Sequence, residues 1–498
     1  MRLAIAAVVA ATATAMSGGC GGHASAPASA PPVPALGAAR WVPAHPTYLL
    51  ASPALGDAQH SLRDAIEVLG IAANYDLADV VAALTGLIGV DPLHADPLAA
   101  IGVDPRGSWA MFSEDLSPTF VIRLAAPDRM AAFLDHQRAR GLVTQSAIVD
   151  QVEVFSAALP AGLTLDWAIA GEWMWVHAQL GGRRDDTAWF TASHAAHDAG
   201  WSDNWAWAQR AANTAAGVVG ILDLHGVLAR ASARAPDAVQ CAKLAEPIRR
   251  VAISLDGDDR QLGARIALDV GATDAIQRMI VAPPSGWGAT AARAAIAGQW
   301  NLDLAAARPW IAPCLALAGN ALAAFDASGV RTARGLLIDL DPDQLTGSGA
   351  IALDLASSTY LERQLDRIPL RRTLERSRNF GPYHGKSIDI PFSVTVEYVL
   401  ERGVAFAALG EGLLAQIIGT GAPGAPGAPI LALDLAPPKM SPHAWEAVLH
   451  VLGGHDLTGT PGPATQRAAA RLMRWREGHL ALTTTPTELV LTATGTRR

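Results

Sequence analysis

The chain has 498 residues, of which 50% are hydrophobic and 17% are charged. This composition can bury a large core and excludes a mostly disordered protein. The formal net charge of −8 gives no general attraction for nucleic acid, so no nucleic-acid partner is expected. At a typical size of about 150 residues per domain, the chain has room for about three domains.

The N-terminus has the pattern of a secretory signal. A short basic start precedes an apolar run of about 13 residues, and Ser17-Gly18-Gly19-Cys20 follows. A run of that length is too short to cross a bilayer, which needs about 20 residues. The Cys after two glycines resembles the lipobox of bacterial lipoproteins, which implies a signal peptide over residues 1–19 and lipidation of Cys20. Ordinary cleavage after Ala15 is the alternative, and it would leave Cys20 as a spare thiol.

The segment after Cys20 has the composition of a spacer. It contains Ala, Ser, Gly and several Pro, with no charged side chain before Arg40. Such a composition cannot form a core and favours extended, polyproline-like conformations. We therefore predict that residues 20–39 are a lipidated Cys and a Pro/Ala-rich tether that attaches an exported body to a membrane. By the same resemblance, Gly21 after Cys20 favours the outer membrane, facing the periplasm or the cell surface.

Two further cysteines, Cys241 and Cys314, form an even pair in a protein predicted to reach an oxidising compartment. They are a possible disulfide, which would join the end of the first half of the chain to the start of the second. Two buried free thiols, which behave as small hydrophobic side chains, are the alternative.

Short matches recur in the same order in the two halves of the chain. Asn74-Tyr-Asp-Leu-Ala78 recurs as Asn301-Leu-Asp-Leu-Ala305, and Gly102-Val103 recurs as Gly329-Val330, both 227 positions later. Further matches follow at offsets up to 231. Because the matches are collinear within a narrow range of offsets, we predict an internal repeat.

Each half also shows the same pattern of elements. Residues 119–125 alternate like a strand, and Pro127 with Asp128 begins a helix that runs to Arg140. Each half ends in a hairpin pattern, which in the first half covers residues 251–270. The sequence therefore predicts an α+β fold of two tandem related domains, 40–285 and 286–498, each an antiparallel sheet with helices packed on one face.

Two stretches near the start of the body resemble a protein family. They are Trp41-Val-Pro-Ala-His-Pro-Thr-Tyr-Leu-Leu50 and Ala100-Ile-Gly-Val-Asp-Pro-Arg-Gly-Ser-Trp109. Together they look like the uncharacterised, Ala-rich bacterial envelope lipoproteins of GC-rich Gram-negative lineages, in which a P-A-x-x-x-x-L strand opens the fold and a G-V-D-P turn precedes the next strand. The resemblance covers the signal, the tether and the first third of the chain. It brings no catalytic residue and implies an envelope location and a non-enzymatic function.

Tryptophan is concentrated in one segment, because seven of the 14 Trp lie between Trp167 and Trp207. An indole combines a large apolar area with an N–H donor, which suits contact with a lipid, a glycan or a protein partner. We predict ligand or partner contact at Trp189, Trp201, Trp205 and Trp207. A Trp-rich core, in which large rings fill space in an Ala-rich fold, is the alternative.

His194 and His197 lie about one helical turn apart, a spacing that can chelate a metal ion. The sequence identifies no third ligand, and two His on a polar helix face are the commoner arrangement. They are therefore weak candidates, and no metal or cofactor is predicted.

Three functions follow from these features. The leading hypothesis is a cell-envelope lipoprotein with a non-catalytic binding role, for an apolar or amphipathic ligand or a protein partner, near the Trp-rich segment or between the halves. The first alternative is a structural envelope scaffold without a small ligand. The second is a metal-assisted hydrolase centred on His194 and His197, although no Gly-x-Ser-x-Gly elbow occurs and binding is expected more than catalysis.

Overall fold

The computed structural model describes most of the body of the chain. The described residues are 37–73, 78, 81–82, 85–86, 89–114, 117–140, 142–159, 162–180, 187–195, 200–212, 217–232, 245–258, 260–281, 288–307, 329–344, 346–367, 371–390, 394–401, 403–419, 429–452 and 459–498. Cys20, Cys241, Cys314 and His197 fall outside these ranges. The predicted lipidation, the predicted disulfide and half of the metal pair therefore lie outside the described residues.

The strands are numbered in chain order. They are β1 Tyr48–Ser52, β2 Trp109–Ser113, β3 Thr119–Arg123, β4 Gln145–Val149, β5 Val152–Leu159, β6 Leu163–Ala170, β7 Trp173–Leu180, β8 Val218–Leu222, β9 Arg250–Gly257, β10 Gln261–Asp269, β11 Ile296–Trp300, β12 Val330–Asp341, β13 Thr346–Leu355, β14 Glu375–Phe380, β15 Tyr383–Ile390, β16 Val394–Glu401, β17 Val404–Leu409, β18 Leu431–Leu435, β19 Trp475–Thr484 and β20 Glu488–Arg497.

The helices are numbered in the same way. They are α1 Leu55–Ala73, α2 Ala95–Ala100, α3 Pro127–Ala139, α4 Ala188–His194, α5 Ser202–Ala212, α6 Leu224–Ser232, α7 Asp274–Gln277, α8 Gly288–Ala291, α9 Thr359–Asp366, α10 Arg371–Leu374, α11 Leu413–Gly419, α12 Pro442–Leu452 and α13 Pro463–Leu472, with short 3-10 helices at Gly37–Trp41 and Pro437–Lys439. Among the described residues, no helix is both long enough and apolar enough to cross a membrane.

The twenty strands of the described residues belong to one antiparallel sheet. From one edge to the other the order is β4-β5-β6-β7-β3-β2-β1-β8-β9-β10-β20-β19-β18-β11-β12-β13-β17-β16-β15-β14. The α+β class is confirmed. Two tandem domains with separate sheets are not confirmed, because β10 pairs with β20 over nine residue pairs and makes the sheet continuous.

The first ten strands and the last ten follow the same order from the edge to the centre, and the register agrees in detail. Phe155 pairs with Trp167 between β5 and β6, and Lys386 pairs with Tyr398 between β15 and β16, each 231 positions further along. Gly102 and its counterpart Gly329 both have positive φ, 100° and 69°, and their carbonyls accept from the backbone of Ala125 and Ala356 respectively. The sequence match at these glycines is therefore also a match in backbone conformation.

Helices cover both faces of the sheet, so the prediction of helices on one face is wrong. Adjacent residues of β1 point to opposite faces, where Leu50 packs near α1 on the first face and Leu49 packs near α5 on the second. In the second half, α12 and α13 cover the first face and α11 covers the second. Strands buried on both faces, such as β1 with Leu49 and Ala51 on one face and Ser52 on the other, form a sheet that is the middle layer of the core.

Candidate functional site

A cleft with a volume of about 300 Å³ lies between α9 and strands β15 and β16, close to one edge of the sheet. The helix contributes one wall and the strands contribute the floor. The lining residues are Glu362, Leu365, Asp366, His384, Gly385, Lys386, Tyr398 and Leu400.

A buried carboxylate lies beside the floor of the cleft. Alternation along β14, β15 and β16 places Glu375, Lys386 and Tyr398 on the same face of the sheet. The Tyr398 hydroxyl donates to Glu375 Oε1, and Lys386 Nζ donates to Glu375 Oε2 over 2.5 Å. The Glu375 side chain is only 6% exposed, whereas that of Lys386 is 41% exposed. Lys386 thus neutralises the carboxylate and keeps two N–H donors for another partner.

The rim of the cleft supplies mainly hydrogen-bond acceptors. Glu362 and Asp366 contribute carboxylates from α9, where Glu362 Oε1 accepts from the Ser358 hydroxyl over 2.6 Å. His384 Nδ1 lies 2.8 Å from the Asn379 side-chain oxygen, which is an acceptor, so Nδ1 carries a proton and Nε2 is the acceptor of the neutral ring. The arrangement can bind a polar molecule that offers several hydrogen-bond donors.

The corresponding place in the first half is filled with aromatic side chains. Phe155 and Trp167 occupy the positions in β5 and β6 that are equivalent to Lys386 and Tyr398 in β15 and β16. Their rings stack with centroids 5.7 Å apart. Trp167 is 5% exposed, and Phe133 of α3 packs against the same cluster. Two equivalent places in the sheet therefore differ in kind, because stacked aromatic rings occupy one and a polar cleft lies at the other.

A second, smaller cleft of about 180 Å³ lies over β11, β12 and β18. Most of its lining is Ala and Gly, with Gln299, Arg334 and Asp434 as its polar groups. Arg334 donates to the Gln299 side-chain oxygen over 2.9 Å, and burial lowers the pKa of Arg334 to about 10. The guanidinium therefore stays charged at neutral pH.

Three of the four predicted contact residues in the Trp-rich segment lie in the core. Trp201, Trp205 and Trp207 are 7%, 7% and 6% exposed and pack in the hydrophobic cluster beneath α5. The Trp207 indole N–H donates to Glu488 of β20 over 2.9 Å. Their burial agrees with the alternative of a Trp-rich core. Trp189 is half-buried and its ring stacks on His177 at 4.9 Å, so ligand contact there stays a prediction.

His194 belongs to an aromatic cluster. Its ring stacks on Trp41 with centroids 5.5 Å apart and on Phe190 at 5.0 Å. Among the described residues, no group of three or more His, Cys, Asp or Glu side chains is placed to hold a metal ion.

The residues that form the polar cleft were missed by the sequence analysis. The internal repeat contains a signal for this cleft. An offset of 231 aligns Lys386 with Phe155 and Tyr398 with Trp167. A Lys and a Tyr where the other copy has two large aromatic residues indicate a changed environment. That comparison becomes informative only once the strand register is known.

No protein-family model matches the chain, and no curated protein matches it. Among solved structures, crystal forms I, III and IV of a protein called TP0453 are similar at TM-scores of 0.27, 0.26 and 0.26. In the same order, the sequence identities are 10%, 12% and 10%. The matches cover 47%, 46% and 47% of this chain. They cover 79%, 78% and 81% of the TP0453 chain.

Proposed function

We propose that this protein is a cell-envelope lipoprotein, anchored through Cys20, whose second half binds a small polar ligand in the cleft between α9 and the sheet. The observation that carries the proposal is the exchange of the stacked pair Phe155 and Trp167 for Lys386 and Tyr398 around an open cleft. At the equivalent place in the first half, packed aromatic rings contribute to the stability of the fold. A polar cluster there contributes less stability, so we explain its presence by ligand binding.

The shared strand order and register support a duplication as the origin of this difference. In this proposal the body consists of two related α+β units joined through β10 and β20. The first unit keeps the aromatic core, and the second carries the site. The buried Trp residues of the first unit then stabilise the body rather than contact a ligand.

The lining of the cleft favours a ligand rich in hydrogen-bond donors, such as a saccharide unit, over a lipid. Glu362 and His384 line the same cleft as Lys386, whose ammonium group donates one of its three N–H groups to Glu375. Leu365 and Leu400 add a small apolar surface, as sugar sites do beneath a ring face.

Binding is tested with glucosamine and glucose as probes, followed by calorimetric titration of the full chain. We expect saturable binding of at least one sugar, and we expect Lys386→Gln to remove it. Arg376→Gln is the matched control, because Arg376 lies on the other face of β14 and is 73% exposed. Binding that survives Lys386→Gln, or that both substitutions weaken equally, would contradict this site.

Anchoring is tested separately. Replacing Cys20 with Ala should move the exported chain from the membrane fraction to the soluble fraction. The variant lacks the thiol that would carry the lipid, and the segment that begins at Gly21 has no affinity for a membrane by itself. A Cys20→Ala chain that stays with the membrane would refute attachment through this residue.

A further inference from the structure

The continuous sheet ends in two edge strands that are counterparts in the two halves. In the described part of the chain, β4 pairs with β5 alone and β14 pairs with β15 alone. An edge strand presents backbone donors and acceptors to other chains, and proteins usually protect such edges with charges, Pro or bulges.

β14 is protected by charge. Its sequence Glu375-Arg-Ser-Arg-Asn-Phe380 has three charged side chains. Arg376 pairs with Asp389 at 3.2 Å, and Arg378 pairs with Glu397 at 3.2 Å and Glu411 at 3.1 Å. Another strand that approached this edge would have to desolvate these pairs.

β4 has none of these protections. Its sequence Gln145-Ser-Ala-Ile-Val149 contains no charge and no Pro. Its five pairs with β5 run without a register shift, so no bulge twists the edge away. Ile148 is 80% exposed, and Val143 just before the strand is 81% exposed.

The turn at the end of β4 holds the strand against its neighbour. Asp150 and Gln151 have φ values of 48° and 67° and are, within the described residues, the non-glycine positions with positive φ. Positive φ at both central positions is the conformation of a two-residue turn whose twist matches the flanking strands. β4 is therefore presented as an ordered, regular edge.

We propose that β4 pairs antiparallel with β4 of a second copy of this chain about a two-fold axis. With Ala147 at the axis, Ile148 faces Ser146 of the other copy and Val149 faces Gln145. Every pair is neutral, whereas a contact that used β14 would bring Arg376 and Arg378 against the new strand. The charged edge thus stops growth, and the assembly closes as a dimer rather than a filament.

The dimer buries a small area, because five residues per chain pair. Interfaces of that size are weak in dilute solution. Attachment of both copies to one membrane would raise their effective concentration and favour pairing. The proposal on β4 does not depend on the ligand-binding cleft, because the residues that carry each are different, but the expected pairing in membranes rests on the proposed anchoring through Cys20.

Cysteine cross-linking of the full chain in membranes tests this pairing. Ala147→Cys places two thiols opposite each other across the axis, where Cβ atoms of facing residues lie about 5 Å apart. A short bifunctional maleimide should give a product of twice the chain mass for Ala147→Cys. The unsubstituted chain shows the background from its own cysteines, and Ser377→Cys on β14 is the matched edge control.

A second substitution separates specific pairing from collision. Adding Ile148→Lys to Ala147→Cys places like charges at the edge and should lower the cross-linked fraction by about tenfold or more. Because Ile148 is 80% exposed, this change leaves the fold intact, which circular dichroism checks. A yield for Ala147→Cys no higher than for Ser377→Cys, or a yield unchanged by Ile148→Lys, would overturn the proposal.

Discussion

Replacing Trp201 or Trp205 with Ala measures how much the Trp-rich segment contributes to the core. Each indole is 7% exposed, and the two rings meet edge to face with centroids 6.0 Å apart. An indole that buries about 200 Å² contributes about 5 kcal/mol at about 25 cal/mol per Å², and Ala keeps part of that. We therefore expect each substitution to lower the free energy of unfolding by about 3–5 kcal/mol.

Urea unfolding followed by circular dichroism gives these values, and a double-mutant cycle gives the coupling between the rings. An edge-to-face pair should show a coupling of about 1 kcal/mol. Val143→Ala, at a residue 81% exposed, is the control and should change stability by less than about 0.5 kcal/mol. Losses below about 1 kcal/mol for both Trp variants, together with weakened sugar binding, would show that these indoles contact a ligand.

Two further substitutions test buried carboxylates. Glu397 is 0% exposed and accepts from the backbone N–H groups of Gly412 and Leu414 at the start of α11, over 3.1 and 3.2 Å. Glu397→Gln keeps one acceptor oxygen and turns an amide N–H₂ toward the other backbone donor, so urea unfolding should show a loss of about 2–4 kcal/mol, and a neutral result would refute the capping role. Burial raises the pKa of Asp64, although the charge of Arg497 opposes this shift. The folded state therefore binds the Asp64 proton more tightly than the unfolded state does. As pH rises from about 4 through that raised pKa, the native chain should lose stability relative to Asp64→Asn, and a gain would contradict this sign.

Local elements could be predicted from the sequence because local patterns determine them. The predicted helix from Pro127 is α3, and the predicted hairpin over 251–270 is β9 and β10. The single sheet could not be predicted in this way. The pairing of Leu262 with Gly495 joins residues far apart in the chain, and no local pattern encodes such a partner.

The same limit explains the outcome at the candidate site. Seven Trp in one segment are visible in the sequence, but burial of Trp205 depends on which face of α5 meets the sheet. The polar cleft depends on Glu375, Lys386 and Tyr398 meeting across three strands. The strands and the helix around the cleft could be predicted in part. The contacts between these three side chains arise from tertiary packing and could not.

The ligand-binding cleft and the dimer edge at β4 lie far apart in the sheet, and this distance bears on whether they are coupled. The cleft lies over β15 and β16 near one edge, and β4 is the opposite edge, with the junction of β10 and β20 between them. Coupling between two sites requires an element whose equilibrium both of them bias. The rings of Phe155 and Trp167, next to β4, stack on each other and pack against the hydrophobic cluster beneath α3, so we expect them to keep one arrangement whether or not the distant cleft is filled. The two clefts of a dimer should therefore fill independently, because pairing through β4 leaves Lys386 and Glu375 in the same surroundings in each copy.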